Sequence, residues 1–509
     1  MVTDTPGYSY LIEHYKLAAR PLSVCTRINP KIKGRETQRS GDQEILVFEP
    51  KYLPEESLTG HLQFALRYEG INLEVLSLLF RQTGKDELNE WLAESPASIY
   101  ARRASFLFEW LTGLTLNAHV PAKESYVELV DNELQFGLKA GERDSRFRVS
   151  NNLPGNRDFC PLVRRTKYLS EMAARDLRGK TRKTLAAYDN DLLRRAAAYL
   201  YLKETQSSFE VEREKPSPNR AQRFVDLLRL ADTKIPLTQD RLVELQHAVV
   251  DPRFHEFTWR QRQNWVGKDL GYRKQIDFIP PRPEDVPALM DGLLQLAEVS
   301  RRWYPIEIDD DDEAQIDPVI LASLIAFGFV FIHPFLDGNG RIHRYLIHEV
   351  LANAGFTPRG IILPVSAVIL ANLDDYIATL DLFANPLRKL TNYNPDTLDI
   401  PAIGNDVVYF RYFDATPQAE FLYRSLTRTV EEDLEKEINY LLGFDHAYTA
   451  LNGMLDWPEH SLELFIRVVQ QNNGALSKTK RHRHFQWMKE EEVRKAEQEV
   501  IKAFEKSDI

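Results

Sequence analysis

Cysteine is almost absent from this 509-residue chain, which contains only Cys25 and Cys160. Two cysteines exclude a disulfide framework and a cysteine-based metal site, and so few thiols suit a reducing compartment. An excess of positive charge is also lacking, because the formal net charge is -10. The chain therefore has no general attraction to nucleic acid or to an anionic membrane. Its length exceeds that of one compact domain, so we expect two to four domains.

Long hydrophobic runs are scarce as well. The one long run, VILASLIAFGFVFI at residues 319–332, is too short to cross a bilayer comfortably and predicts a buried core helix. The first residues, MVTDTPGYSYLIEHYK, lack a basic segment followed by an apolar one, so no secretory signal is predicted. We therefore expect a cytoplasmic protein that does not contact membranes.

Apolar residues at helical spacing dominate what remains. The pattern at residues 190–205 has apolar positions at helical spacing, and the pattern at 490–504 places apolar side chains on one stripe. Ser217-Pro218 and Asp317-Pro318 predict the starts of two more helices, at residues 217–231 and in the hydrophobic run. Strand candidates are few: residues 146–152 and 407–413. Together with a predicted hairpin at residues 264–281, which includes Gly271 between its two arms, these patterns predict a mainly α fold with little β-structure.

Two polar or turn-rich stretches, residues 176–184 and 392–406, are the expected domain boundaries. They divide the chain into an N-terminal accessory domain (1–185), a catalytic domain (186–395) and a C-terminal region (396–509). The acidic run at residues 309–313 is interpreted as a solvated loop, because successive carboxylates do not converge on one ion and no glycine-hinged calcium loop follows.

The run HPFLDGNGRIHR, which begins at His333 directly after the hydrophobic helix, combines unusual residue types. Pro334 ends the helix. The Gly338–Gly340 turn tolerates positive φ and can point several backbone N–H groups at one anion. A second helix begins near Arg341, and its N-terminus adds the positive end of a helix dipole. The run therefore predicts an anion-binding turn between two helices.

Charged side chains in the same run indicate which anion would bind. Arg341 and Arg344 lie three residues apart on one side of the helix, and two guanidinium groups suit a di- or triphosphate. Asp337 would repel phosphate unless Mg²⁺ lay between them. His333 can accept a proton near neutral pH. The pattern thus favours a magnesium nucleotide beside a general base that activates a hydroxyl group.

Other nucleotide and metal motifs do not fit. The Gly-Asn-Gly turn follows a helix rather than a strand, and His343 stands at the third glycine position of a Rossmann pattern. No GxxxxGK[ST] sequence occurs. His343 and His348 do not form the HExxH pattern of a zinc protease.

The whole run resembles the Fic family signature HxFx[D/E]GNGRxxR. The matching positions are His333, Phe335, Asp337, Gly338, Asn339, Gly340, Arg341 and Arg344. The resemblance implies a Fido-type helical domain that transfers AMP from ATP to a hydroxyl side chain of a target protein. It also implies a general base at His333, a magnesium ligand at Asp337, and phosphate contacts from the Gly338–Gly340 turn, Arg341 and Arg344.

The resemblance extends over residues 190–390. Residues 264–281 are similar to the family's flap, a hairpin that clamps the target backbone by strand addition. Its target-docking residues would be Trp265, Val266, Gly267, Phe278 and Ile279. Residues 363–380 resemble the helix that follows the signature, where Tyr376 would line the adenine pocket.

Many members of that family carry an inhibitory helix with the pattern [S/T]xxxE[G/N], whose glutamate pairs with the second signature arginine. Two candidates occur here. Glu69 is followed by a glycine, but alanine replaces the serine or threonine and the segment lies far upstream. Ser208 and Glu212 match directly ahead of the catalytic helices, although Arg213 stands where glycine or asparagine is usual. We favour Glu212 as the inhibitory residue.

The flanks carry less information. Residues 1–185 are expected to form a mostly helical accessory domain. The C-terminal region resembles a small winged-helix-like module, and its basic residues 478–483 could contact DNA or form a solvated turn. The sequence also leaves open whether the chain forms a homodimer.

The leading hypothesis is a magnesium- and ATP-dependent protein adenylyltransferase that acts on Ser, Thr or Tyr and is inhibited by Glu212. Removal of AMP and transfer of another nucleotide from the same site are alternatives. A nucleotide-sensing regulator that binds DNA or a protein partner is an alternative of another class.

Overall fold

The structure of the chain is a computed structural model that describes residues 5–40, 43–270, 274–302, 316–394, 406–458 and 460–505. Helices dominate it, which confirms the predicted mainly α class. The acidic run at residues 309–313 and the hinge of the hairpin at Gly271 lie outside the described residues. No helix in the described ranges is both long and apolar enough to cross a membrane.

The N-terminal part contains seven helices and two three-stranded sheets within its described residues, ordered β1-β3-β2 and β4-β6-β5. In each sheet the first pair is parallel and the second is antiparallel. The helices are α1 (Tyr8–His14), α2 (Leu58–Tyr68), α3 (Leu73–Gln82), α4 (Asp86–Glu94), α5 (Ile99–Thr112), α6 (Lys167–Ala173) and α7 (Leu177–Ala186). The strands are β1 (Val24–Ile28), β2 (Arg35–Ser40), β3 (Gln43–Phe48), β4 (Val127–Glu128), β5 (Glu142–Asp144) and β6 (Val149–Asn151).

The expectation of a mostly helical accessory domain missed the first of these sheets. The strand predicted at residues 146–152 is present as β6. Strand β2, RETQRS, is polar throughout, so it lacks the alternation of apolar and polar residues by which a strand is recognised. Only its pairing with β3 makes it a strand.

The middle of the chain forms the helical unit that carries the signature. Its helices are α8 (Asn190–Val211), α9 (Pro218–Leu228), α10 (Gln239–Val249), α11 (Val286–Arg302), α12 (Pro318–Ile332), α13 (Asn339–Asn353), α14 (Val365–Ala371) and α15 (Leu373–Leu390). The predicted hairpin is confirmed as β7 (Val266–Asp269) and β8 (Lys274–Phe278), an antiparallel pair.

Helix α12 begins where the sequence predicts. The Asp317 carboxylate accepts hydrogen bonds from the N–H groups of Val319 and Ile320, at 2.9 and 3.0 Å, and Pro318 is the first helical residue. Nearly every residue of the helix is buried. Phe331 stacks on Phe383 of α15 with ring centroids 3.8 Å apart. The hydrophobic run is therefore the centre of the core, as predicted.

The C-terminal part is helical in the residues that the structure describes. Its helices are α16 (Val408–Arg411), α17 (Thr416–Arg428), α18 (Leu434–Asn452), α19 (Ser461–Gln471), α20 (Lys478–His484) and α21 (Glu490–Glu505), and a π-helical segment, Thr429–Asp433, joins α17 to α18. Residues 406–458 and 460–505 include no strand, so these residues do not form the wing of a winged helix.

The strand predicted at residues 407–413 is wrong. Val408–Arg411 form one helical turn, which begins where the Asp406 carboxylate accepts the N–H of Val408 at 2.9 Å. Its aromatic residues are buried on several sides, and a short apolar run of that kind does not distinguish a strand from a buried helical turn.

Two hydrophobic cores lie in the described residues. The larger contains residues from Tyr8 to Ile438 and thus joins the N-terminal helices and strand β6 to the signature helices. The smaller contains residues from Ala447 to Ala503. The division into domains at residues 185 and 395 stays a prediction.

Candidate active site

The loop between α12 and α13, residues 333–338, is called the signature loop below. Helix α12 ends at His333, which adopts a left-handed conformation with φ 53° directly before Pro334. The Asn339 side chain closes the loop, since its Oδ1 accepts the Phe335 N–H at 3.0 Å and its Nδ2 donates to the Phe335 carbonyl at 2.7 Å. Both ends of this buried amide are thus engaged, and any phosphate contact of Asn339 would come from its backbone N–H.

The His333 imidazole is held in one orientation. Its Nδ1 lies 3.1 Å from the Val330 carbonyl oxygen. Because a carbonyl oxygen can only accept, Nδ1 carries the proton and Nε2 keeps its lone pair in the neutral ring. Burial and the nearby Arg260 charge lower the pKa of His333 to about 4, although the hydrogen bond that Nδ1 donates to the Val330 carbonyl raises it. The ring is therefore neutral at pH 7 and can accept a proton at Nε2.

Arg260 supports this histidine and was not anticipated from the sequence. Its Nε donates to the His333 carbonyl at 2.8 Å and its backbone N–H donates to the Pro334 carbonyl at 2.8 Å. The guanidinium also donates to the Pro281 carbonyl at the base of the hairpin. Only 1% of Arg260 is exposed, and burial lowers its pKa to about 10. No sequence motif marks Arg260, because its partners lie far away along the chain.

The start of α13 is shaped by two glycines. Gly338 caps the helix with φ 94°, a conformation that side chains disfavour. At Gly340 a Cβ atom would lie 2.0 Å from the Glu212 Oε1. The Glu212 carboxylate therefore rests directly on the first turn of α13, where the helix dipole is positive.

Arg344 is bound through its Nε and NH2 groups by the segment that carries Glu212. Its Nε donates to the Ser208 Oγ at 2.9 Å, and its NH2 donates to the Ser208 carbonyl at 2.7 Å and to Glu212 Oε1 at 2.9 Å. Burial alone would raise the pKa of Glu212, but the charge and hydrogen bond of Arg344 outweigh burial and hold that pKa below its ordinary value. The carboxylate is thus ionised at neutral pH.

Arg341 is paired in the same way. Its NH1 donates to Glu214 Oε2 at 3.1 Å and to the Val249 carbonyl at 2.7 Å, and its NH2 donates to Asp337 Oδ1 at 2.7 Å. The guanidinium lies over the Phe209 ring at 5.3 Å. The carboxylates of Glu212, Glu214 and Asp337 therefore surround the two signature arginines. Both arginines are at most 2% exposed.

The turn that follows α8 explains the departure at Arg213. The Glu214 N–H donates to the Phe209 carbonyl and the Arg213 N–H to the Glu210 carbonyl, which is the Schellman pattern of a helix C-terminus. That pattern requires a left-handed residue, and Arg213 has φ 58°. Arg213 thus adopts the conformation for which the family pattern has glycine or asparagine.

The other candidate, Glu69, lies elsewhere. Its carboxylate accepts the Tyr8 N–H at 2.8 Å and the Thr26 hydroxyl at 2.6 Å. Burial raises its pKa to about 7, against these two hydrogen bonds. Glu69 thus belongs to the N-terminal part, and the structure places Glu212, rather than Glu69, on the signature arginine.

Asp337 is the residue that could hold a metal. Its side chain is 46% exposed, and Oδ1 accepts the Gly338 N–H at 2.6 Å in addition to Arg341. No group of three or more potential ligands occurs in the described residues. One accessible carboxylate fits Mg²⁺, which proteins commonly bind through one or two carboxylates while substrate phosphates and water complete the coordination.

Tyr376 lies near Arg344, in the core of the helical unit. It is 5% exposed and stacks on His343 with ring centroids 6.1 Å apart. Burial raises its pKa to about 12, against the charge and hydrogen bond of Arg344. The predicted contact with adenine is not supported by this position, because the ring packs in the core rather than on an open surface.

The hairpin, residues 264–281, is called the flap below. Strand β7 is exposed along its length and pairs only with β8 in the described part of the flap. Ile279 is 4% exposed and Phe278 packs on Phe331, Phe383 and Phe410. The side chains of these two residues anchor the flap, and their contact with a target stays a prediction. Of the predicted docking residues, Val266 and Gly267 lie exposed on the edge strand, with the partly buried Trp265 before it.

Comparison with known proteins gives a family for this site. Residues 236–351 match the Fic/DOC family. A protein adenylyltransferase Fic from Drosophila melanogaster is 33% identical over 134 residues, which cover 26% of this chain and 23% of that protein. A protein of the same name from Drosophila mojavensis is 28% identical over 213 residues, which cover 38% of this chain and 37% of that protein. The chain thus spans well under half of the length of these curated relatives.

Two crystal structures of bacterial proteins are also similar. A Fic family protein from Desulfovibrio desulfuricans has 17% identity and a TM-score of 0.36, over 65% of this chain and 84% of that chain. A Fic domain containing signaling protein from Bacteroides thetaiotaomicron has 23% identity and a TM-score of 0.33, over 51% of this chain and 96% of that chain.

The family match covers α10, the flap, α12, the signature loop and nearly all of α13, and thus includes His333 and both arginines. The part of the chain that matches the Fic/DOC family is thus the part that carries the candidate site.

Proposed function

We propose that the protein transfers AMP from ATP to a hydroxyl side chain of a target protein. The observation that carries the proposal is the convergence of a neutral histidine, a helix N-terminus and two buried arginines at one loop. The relatives named protein adenylyltransferase Fic support it.

His333 would accept the proton of the target hydroxyl at Nε2. The hydroxyl oxygen would then form a bond to the α-phosphorus, and the bond from that phosphorus to the bridging oxygen would break, releasing pyrophosphate. The backbone N–H groups at the start of α13 would bind phosphate oxygens, and Arg341 and Arg344 would stabilise the charge on the leaving group. Such catalysis relies on positioning and fixed positive charge.

Asp337 would hold Mg²⁺ through its exposed carboxylate. The ion, when bound, would neutralise charge on the phosphates and help orient them. The ion pair of Asp337 with Arg341 keeps the carboxylate at the start of α13, beside the N–H groups that would contact the same phosphates.

Glu212 would inhibit the transfer. Its carboxylate lies on the first turn of α13 and on Arg344, where phosphate oxygens would otherwise bind. A carboxylate and a phosphate cannot occupy one guanidinium and one set of N–H groups together. We propose that ATP binds productively only when the segment 208–214 has moved away, and that Glu214 opposes binding at Arg341 in the same manner.

The test is intact-protein mass spectrometry of the Glu212→Gly protein after incubation with Mg-ATP. We expect the addition of one or more AMP groups, far above the wild-type level, and no addition to the Glu212→Gly, His333→Ala double variant. Absence of labelling on both the protein itself and a mixture of candidate targets would contradict the proposal, and the mass of any group added instead would identify another nucleotide.

Removal of AMP is the alternative at the same site, with Glu212 orienting a water molecule. Incubating an AMP-modified target with the wild-type protein tests it: release of AMP that depends on both Glu212 and His333 would favour removal.

A regulator that binds nucleic acid is the second candidate. In its favour, α20 presents Lys478, Lys480 and Arg483 on an exposed surface. Fluorescence anisotropy with duplex DNA tests it: binding that weakens steeply with salt, and that Lys480→Glu abolishes, would favour the regulator.

A further inference from the structure

A buried carboxylate two helical turns before Glu212 has no part in the proposed transfer. Glu204 of α8 is 0% exposed. Its Oε2 accepts the Ser366 N–H at 2.9 Å, and its Oε1 accepts the Ser366 hydroxyl. The same Oε1 lies 2.8 Å from Nε2 of His348, which is itself 3% exposed. One carboxylate therefore joins three helices, α8, α13 and α14.

The position of Glu204 on α8 relates it to the inhibitory residues. Glu204, Ser208 and Glu212 are spaced by four residues, so they follow one face of the helix and its C-terminal cap. On α13, Arg344 and His348 are also four residues apart and contact this face. The two helices thus contact each other through a row of polar side chains, called the α8 seam below. Glu204 lies at one end of this row and Glu212 at the other.

Separating Glu204 from its partners would cost more free energy than separating Glu212 from Arg344, because Glu204 is the more deeply buried of the two. A carboxylate without exposure is stable only while its partners hold it, and an uncompensated buried charge is strongly destabilising. A shift of α8 along α13 would separate Glu204 from His348 and Ser366 at once. Glu212, whose side chain is 35% exposed, could regain water on leaving Arg344. Glu204 therefore selects a single register between the two helices.

We propose that Glu204, through His348 and Ser366, is a positioning residue that holds the Glu212 carboxylate over Gly340 and Arg344. Release of the inhibitory segment then has two separable parts: departure of the exposed turn at residues 212–214, and displacement of the α8 seam at Glu204. This inference rests on the proposed function, because it concerns access of ATP to the same arginines.

The experiment is a double-mutant cycle between Glu204→Gln and Glu212→Gly, with transfer rate and KM for ATP measured for each protein. Glutamine keeps the shape and one acceptor but loses the charge that His348 and Ser366 share. We expect Glu204→Gln to raise kcat/KM for ATP by about threefold or more in the wild-type background, chiefly through KM. In the Glu212→Gly background it should give no increase.

The controls separate positioning from general damage. Thr205→Val removes a neighbouring buried hydroxyl on α8 whose Oγ1 makes no described hydrogen bond, and it should leave kcat/KM unchanged. His348→Gln removes the partner on α13 and should behave as Glu204→Gln does, so it decides the question if Glu204→Gln does not fold.

The outcomes distinguish failure of this inference from failure of the proposed function. An increase in both backgrounds, or in neither while Glu212→Gly is active, would overturn the inference and leave the proposed function intact. An inactive Glu212→Gly protein would instead contradict the proposed function. A loss of activity in both backgrounds with a lower Tm would reduce Glu204 to a purely structural residue.

Discussion

The two sides of the site differ in what surrounds the reacting groups. On the histidine side, His333 is held by the Val330 carbonyl, and its own carbonyl accepts from Arg260. On the arginine side, Arg341 and Arg344 are bound by carboxylates of the same chain. The base is therefore oriented and neutral, whereas the proposed phosphate contacts are occupied. Under the proposed function, inhibition would therefore act on nucleotide binding and would leave His333 ready to accept a proton.

The largest effect expected from this comparison concerns His333. In the Glu212→Gly background, His333→Ala should lower the transfer rate by about 10²–10⁴-fold, the usual contribution of a general base. Binding of Mg-ATP should hardly change, because the histidine does not contact the arginines. Single-turnover labelling and equilibrium binding measure the two quantities separately. A parallel loss of ATP binding would show that the two sides are not independent.

Arg260→Lys is expected to have a smaller effect on the same side. Lysine keeps a positive charge but cannot hold the His333, Pro334 and Pro281 regions with one planar group. We expect kcat to fall about tenfold through misplacement of the base, with KM for ATP unchanged. Steady-state kinetics of Arg260→Lys in the Glu212→Gly background, beside the exposed control Arg262→Lys, tests this. An altered KM with normal kcat would show that Arg260 affects nucleotide binding rather than the position of His333.

The pH dependence should be weak over the physiological range. With the pKa of His333 near 4, the ring stays neutral as pH falls from 7.5 to 5.5, whereas an ordinary histidine with a pKa of about 6.5 would be mostly protonated at pH 5.5. The Glu212 charge raises the pKa of His333, so its loss would lower that pKa further. His333 should therefore also stay neutral in the Glu212→Gly protein. We expect kcat/KM of Glu212→Gly to change less than about twofold over this range. A tenfold decrease would contradict a histidine that stays neutral over this range.

Arg213→Gly should give the smallest effect, on stability. The left-handed conformation of Arg213 costs about 1 kcal/mol that glycine avoids, partly offset by the greater freedom of glycine in the unfolded chain. We expect Tm to rise by about 1 °C at most. Differential scanning calorimetry measures it, and Arg213→Ala should show no such gain because alanine shares the steric cost.

The sequence predicted one part of the site better than the rest. The signature loop, the two arginines and the Ser208–Glu212 spacing lie in short segments where adjacent residues carry the pattern, and the structure brings all of them together. Arg260, Glu214 and Glu204 were missed. Each acts through partners distant along the chain, and an isolated arginine or glutamate on a polar surface pattern looks the same as one that is buried.

The fold shows the same limit. Helices marked by a capping residue or by a long apolar pattern, such as α9, α12 and α21, begin and end close to their predicted positions. Strand β2 has no apolar alternation and the turn Val408–Arg411 is apolar on several sides, so neither pattern indicates its conformation. The hydrophobic core that joins the N-terminal part to the signature helices is formed by contacts between distant segments, which periodicity does not reveal.

In the proposed function, the Glu212 carboxylate occupies the position on Arg344 that the nucleotide would take. Isothermal titration of Mg-ATP into wild-type protein, Glu212→Gln and the exposed control Glu210→Gln measures that competition directly. We predict that Glu212→Gln lowers Kd by about 10–100-fold, equivalent to the loss of one charge-assisted hydrogen bond that competes with phosphate, and that Glu210→Gln leaves Kd as in the wild type. Equal Kd values for all three proteins would show that Glu212 does not compete with the nucleotide for Arg344.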